Sequence, residues 1–276
     1  MTVIAMTREI GSYGLDVAAG LAATLGLKII HSDTVADSIA KRLGVDERAV
    51  LRYVNGSASL LERWQIDRRR LFHYAAEEIL RLAQQGNVLI KGWGAATLLR
   101  DLPGVISVRV CAPMDFRVRV LMDRLGTKDA NAVREQIERY DAARTRTMRA
   151  YFNVEREDPR LYHIVLNTQR LSIGACVKTI SELAEGARFQ DNAAIQSILA
   201  NKLVEAEINS ALAEHISYAA APLGVSVSVA NGMVTLAGMT SSGSVRMSAE
   251  RIAHDIAGMC HIDNRIVSVP TRGAAF

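Results

Sequence analysis

The chain has 276 residues, enough for one large domain or two smaller ones with a sizeable core. Its apolar content is 49% and its net charge +4. No run approaches the ~20 apolar residues that span a bilayer, and no long basic run makes a nucleic-acid arm. The apolar start is interrupted by Arg8 and Glu9, unlike a signal peptide. Cys111, Cys176 and Cys260 are odd in number and far apart, which argues against a disulfide framework. The expectation is a cytoplasmic protein.

Charge divides the chain. Residues 1–188 hold 28 Lys and Arg against 22 Asp and Glu, whereas residues 189–276 hold 5 against 7. Arg dominates the basic part, and Arg favours bidentate contacts with phosphate. A compositional preference for Arg explains the same excess without a ligand.

In chain order, residues 3–5 form a short apolar run, a buried strand. Thr7 to Gly14 is a glycine turn, and Val17, Ala18, Leu21, Ala22 and Leu25 then recur at helical spacing before Gly26. A glycine turn opening a helix offers backbone N–H groups and partial positive charge to phosphate. Residues 27–30 read as a second strand ending at His31-Ser32-Asp33, followed by a helix through Leu43. Residues 46–85 read as mostly helical, with a broken apolar stripe through Leu60, Leu61, Trp64, Leu71, Tyr74, Ala75, Ile79 and Leu82. Residues 88–90 and 105–110 are strands three and four, with Gly92-Trp93-Gly94 as the exit of the third. Residues 115–125 and 129–151 are charged helices, 164–166 a fifth strand leaving at Asn167-Thr168, and 173–184 a helix. Strands separated by helices imply a largely parallel α/β sheet covered on both faces, with ligands beyond the carboxyl ends of its strands.

Residues 186–194 break this pattern and mark a domain boundary. A helix follows from 195 to 216, and Pro222 and Gly224 end the connection after it. Val225, Val227 and Val229 alternate with small residues, Asn231-Gly232 is a two-residue hairpin signal, and residues 233–237 return as the partner strand. A helix over 244–257 and a strand over 262–269, before Pro270, complete a small α+β unit.

These landmarks carry two resemblances. Residues 1–188 resemble the cytidylate kinase-like family, a branch of the P-loop nucleoside monophosphate kinases. The resemblance rests on Thr7-Arg8-Glu9-Ile10-Gly11-Ser12, His31-Ser32-Asp33, Arg117 after Ala112-Pro113, Asp141-Ala-Ala-Arg144 and Leu166-Asn167-Thr168. It implies a five-stranded parallel sheet of order 2-3-1-4-5, ATP with Mg²⁺ at the glycine turn, a pyrimidine monophosphate such as CMP or dCMP opposite, and an arginine-bearing lid. Residues 195–270 resemble a BON domain through Val225 to Gly238, the helix around Ala249 to Ala253, and Gly258 to Val269. Such a domain behind a kinase-like one implies a regulatory, ligand-binding or oligomerising module, homo-oligomerisation included. Its ligand is not specified by the sequence.

The candidate site follows. Gly11, Ser12 and Gly14 would give backbone donors to the nucleotide. A P-loop places Lys and then Ser or Thr after its second glycine, for the β and γ phosphates and for Mg²⁺. Here Leu15 and Asp16 stand there. Asp16 could bind Mg²⁺, or cap its helix and repel phosphate. Arg8 and Lys91 are the nearest replacements for the missing Lys, and Arg8 could instead pair near Glu9. Arg117 and Arg144 would compensate transition-state charge. Arg144 could also belong to a solvated face paired with Glu135 and Glu138. Asp33, Trp93 and Asp141 fall on the acceptor side. Trp93 stands where the family usually has Arg, and Asp33 doubles as a helix cap. Three functions remain open: an ATP-dependent monophosphate kinase, a non-catalytic nucleotide sensor, and a ligand- or lipid-binding BON protein with a kinase relic. The acidic C-terminal balance argues against anionic lipid.

Overall fold

A computed structural model describes residues 1–55, 57–216, 224–240 and 242–269, without the side chains of Leu60, Leu61 and Arg63. Pro222 and Pro270, read above as terminators, lie outside the described residues. Two compact units form, and they do not follow chain order. One comprises residues 1–67 and 85–195, the other residues 68–84 and 196–276.

The first unit starts with β1 (Val3–Arg8), α1 (Gly14–Leu25), β2 (Lys28–Ile30), α2 (Ser32–Leu43), α3 (Glu47–Val54) and α4 (Leu60–Gln65). After α5 (Arg68–Gln85), which groups with the other unit, it resumes with β3 (Val88–Lys91), α6 (Ala95–Leu98), β4 (Val105–Cys111), α7 (Met114–Leu125), α8 (Ala130–Phe152), β5 (Ile164–Asn167) and α9 (Ile173–Ala184). The strands form one parallel sheet in the order β2-β3-β1-β4-β5, as expected from the resemblance. Val3, Ile4, Ala5 and Met6 of β1 are buried because helices cover both faces of this central strand. Ile4, Met6, Val17, Leu21, Leu89, Ile106, Val108, Cys176 and Ile180 share one core. Each large side chain buried there contributes on the order of 1.5–3 kcal/mol. Gly20 lets α1 approach α9: a Cβ there would come 2.7 Å from Val177 Cγ2.

The reading of residues 46–85 needs one correction. Trp64 does not join an apolar stripe; it is 89% exposed on the short α4. That segment is three helices with separate starts, two of them capped: Asp46 accepts from Arg48 N–H, and Ser59 with Glu62 forms a capping box.

The second unit holds α5, α10 (Ala193–His215), β6 (Val225–Ala230), β7 (Met233–Thr240), α11 (Gly243–Ala257) and β8 (His261–Ser268). The sheet order is β6-β7-β8, with β6 antiparallel and β8 parallel to β7. Ile208, Leu212, Val229, Val234, Leu236, Ala249, Ile252 and Ile266 build its core. Arg70 of α5 donates to the carbonyls of Ala213 and Glu214, both at 3.1 Å, satisfying acceptors that the last turn of α10 leaves open. No described helix is long and apolar enough to cross a membrane.

Candidate functional site

The turn from β1 to α1 is held from behind. Gly11 has φ +78°, and a Cβ there would lie 2.5 Å from the carbonyl oxygen of Arg117. The Ser12 hydroxyl is buried and donates to the Glu9 carbonyl at 2.7 Å. Thr168, at the exit of β5, donates to the Ser12 carbonyl at 2.9 Å. Ser12 therefore locks the turn with its side chain. Tyr13 enters α1 with φ 52°, and no acceptor among the described residues takes the N–H groups of Gly11, Tyr13, Gly14 or Leu15. These are the orphan donors of a helix start facing the carboxyl edge of the sheet.

A buried charge network ties this turn to α7 and α8. Glu9 accepts from Arg109 Nη2 at 2.6 Å and from Ala112 N–H at 3.1 Å. Arg117, 4% exposed, donates from Nε to the Ile10 carbonyl and from Nη1 to Asp141, both at 2.8 Å. Asp141 also accepts from Arg156 Nη2 at 3.2 Å. Ile10 packs against Val118, Leu121, Val133 and Ile137 of the two helices. Arg117 and Asp141, expected to touch phosphate and acceptor, thus spend most of their bonding capacity on each other and on the turn. In this network Arg117 Nη2 is buried without a partner among the described residues.

Arg8 and Lys91 are different. They stand at the carboxyl ends of the adjacent strands β1 and β3, where Met6 is level with Lys91. Neither side chain makes a hydrogen bond or ion pair with a described residue. Glu9 is taken by Arg109, so the pairing of Arg8 near Glu9 is not formed. Burial, together with the charges of Arg144 and Arg124, pushes the Arg8 pKa down against the pull of Tyr140. Burial and the neighbouring charge of Arg8 likewise lower Lys91, with Asp33 and Tyr140 opposing. Two half-buried cations that repel each other therefore stand side by side at this edge of the sheet, with Asp33 as the acidic group acting on Lys91.

Arg144 completes this edge. Its guanidinium lies 5.1 Å above the Tyr140 ring and donates to Asn55 Oδ1 at 2.8 Å, so it is not paired with Glu135 or Glu138. Arg139, by contrast, does pair with Glu135 on the solvated face. Tyr140 is half-buried, and that desolvation opposes ionisation, yet Arg144, Arg8 and Arg156 outweigh it and lower its phenol pKa. Trp93 is buried with φ 54°, and its indole N–H donates to the Ser32 carbonyl at 3.0 Å. That bond fixes the turn after β3 against the start of α2. Asp33 lies inside the first turn of α2, and the cap position belongs to His31, which makes no side-chain bond. Asp33 is therefore not the helix cap.

The profile of the cytidylate kinase-like family matches residues 3–170. The chain belongs to that family. A BON domain profile matches residues 201–270. Cytidylate kinase of Pyrobaculum aerophilum is 27% identical over 178 residues, covering 64% of this chain and 90% of the relative. Cytidylate kinase of Sulfurisphaera tokodaii is 26% identical over 170 residues, covering 61% and 87%. A crystal structure of an uncharacterized protein from Eubacterium ventriosum superposes with a TM-score of 0.53 at 18% identity, over 67% of this chain and 99% of that one; it shares the fold.

Kinase-like chemistry raises the question of Mg²⁺. Asp16, the carboxylate on the first turn of α1, is ion-paired with Arg124, whose guanidinium also lies 5.4 Å over Tyr13. A metal bound by Asp16 would have to displace that arginine. Among the described residues no three or more His, Cys, Asp and Glu gather to hold a metal. The described residues do not form a resident metal site.

Arg109, Arg156, Tyr140 and Asn55 join these residues without having been singled out from the sequence, and Glu9 was named there only within its motif and as a neighbour of Arg8. Arg109 and Arg156 give a weak signal because a lone charged residue on a strand or in a loop looks like any surface charge. Only the sheet register and the approach of α8 bring them to the turn.

Proposed function

We propose that the kinase-like unit binds ATP at the Gly11–Leu15 turn and transfers its γ-phosphoryl group to a nucleoside monophosphate of the CMP or dCMP class. The γ-phosphorus–oxygen bond to ADP breaks as a bond to the acceptor phosphate oxygen forms, leaving ADP and a nucleoside diphosphate. The observation that carries this reading is the pair Arg8 and Lys91, whose side chains make no hydrogen bond or ion pair with a described residue, beside the free N–H groups of the turn. Phosphoryl transfer needs phosphates held in line and spreading negative charge compensated, more than covalent help from the protein. Arg8 and Lys91 supply positive charge that Leu15 does not. Arg144, steered by Tyr140 and Asn55, adds charge from α8. Asp33 and Trp93 border the acceptor side. Mg²⁺ would enter with the nucleotide as its phosphate-bound counter-ion.

Leu15 also favours a second reading, a nucleotide sensor without turnover, because a lysine reaching the β and γ phosphates is part of most P-loop sites. ADP formation from ATP, measured with a panel of nucleoside monophosphates beside calorimetric titration of ATP, separates the two. Turnover with a pyrimidine monophosphate is expected. Binding without turnover would select the sensor, and no nucleotide binding would overturn both.

A further inference from the structure

The two edges of the C-terminal sheet are finished differently. The carbonyls of Gly232 and Thr240 accept from His261 and Val269 N–H, so even-numbered residues of β7 turn their amides toward β8. The odd-numbered Met233, Thr235 and Ala237 then face β6, level with Ala230, Ser228 and Ser226. By the alternation of an antiparallel ladder, the amides of Val225, Val227 and Val229 point away from β7, to the open edge.

The same parity on β8 puts Ile262, Asn264 and Ile266 on its outer edge, and there the backbone is blocked. Asn264 Oδ1 accepts from Ile266 N–H at 3.1 Å, and the Asn264 carbonyl accepts from Arg246 Nη2 at 3.3 Å. Asn264 Nδ2 is further held by Glu250 at 2.9 Å and the Arg246 carbonyl at 3.2 Å. Side-chain capping and charge are the usual devices against edge pairing. Strand β6 has none of them. It reads Val-Ser-Val-Ser-Val-Ala, without charge, proline or bulge, and no described residue bonds its outer amides.

We propose that the β6 edge pairs antiparallel with β6 of a second copy of this chain, about a two-fold axis at Val227. The strand is self-complementary in that register. Val227 meets its own copy, Val225 meets Val229, and all three carry outward amides, giving about six backbone bonds. The valine side chains already lie against the core of their own unit. A two-fold axis perpendicular to the sheet keeps α10 and α11 of both copies on one face. Ser226 meets Ser228 of the copy on the opposite, exposed face, in the close non-hydrogen-bonded pairing where no charge is present to repel. The inference stands independently of phosphoryl transfer.

The test uses charge at that contact in the full chain. Wild-type protein is expected at twice its 30.1 kDa mass by light scattering, dissociating on dilution. Ser226→Lys/Ser228→Lys and Ser226→Asp/Ser228→Asp are each expected to be monomeric, with unchanged circular dichroism, because like charges meet across the axis. Mixing the two variants should restore the dimer. A monomeric wild type at all concentrations, including one that binds only an extended peptide, overturns the proposal. So does a charged variant that dimerises as the wild type does, or a mixture that stays monomeric. Hydrogen exchange on the unmodified chain tests it without substitution. The Val225, Val227 and Val229 amides should lose protection on dilution, and rates independent of concentration would also overturn it.

Discussion

The carbonyl oxygen of Arg117 occupies the space that a side chain on Gly11 would need, 2.5 Å from an ideal Cβ there. The same arginine donates to the Ile10 carbonyl, so α7 grips the turn on two successive residues. Gly11→Ala must therefore both adopt φ +78° and push α7 away. A loss of about 1–3 kcal/mol is expected, with ATP binding weakened in parallel because the free N–H groups shift. Urea unfolding and calorimetric titration check the two effects together.

Arg8→Gln should behave in the opposite way. Arg8 has no partner to lose and repels Lys91, so its removal is expected to leave stability unchanged or slightly raised. One charge-assisted contact with phosphate contributes about 1.5–3 kcal/mol, so ATP affinity should fall roughly tenfold or more. A variant that loses stability and affinity in proportion would make Arg8 a structural residue.

Asp141→Asn removes the carboxylate between Arg117 and Arg156 and leaves two buried guanidinium groups without it. Breaking one partner of a buried pair costs about 3 kcal/mol or more. The expected result is a lower unfolding midpoint with unchanged denaturant slope. An unaltered midpoint would show that the network contributes nothing net to the fold.

His163 should make stability depend on pH. Its Nδ1 accepts from Ser107 N–H at 3.0 Å, and burial, with Arg188 nearby, holds its pKa below the ordinary 6.5. The unfolded chain therefore binds a proton more readily than the folded one. The contribution is fully present above about pH 6.5 and is lost as pH falls toward the folded pKa. Unfolding measured from pH 7.5 to 5 should show stability falling with acidity, and His163→Gln should flatten that part of the curve.

The sheet was legible because its strands are short apolar runs bounded by Gly, Asn and Asp, and its helices carry strong apolar periodicity. Val3 to Ala5, Val88 to Ile90 and the Asn231-Gly232 hairpin needed no tertiary information. Trp64 misled because a broken stripe running over three separate helices mimics one long amphipathic face. At the site, Gly11, Gly14, Arg8 and Lys91 could be named from position relative to strand ends. The division of labour among the arginines could not. Arg117 and Arg8 look alike in sequence, yet one is buried against Asp141 and the other faces uncompensated charge.

By itself, the sequence determined the order of strands and helices and the glycine turn at the carboxyl end of β1, since local periodicity and turn chemistry encode both. It also determined the absence of lysine after Gly14. Only the tertiary structure decided which cations lack a counter-ion, how Ser12 and Arg117 lock the turn, and that residues 68–84 group with the C-terminal unit. The reason is physical: pairing, burial and repulsion depend on which distant residues the fold brings within a few ångströms, and no local pattern records that.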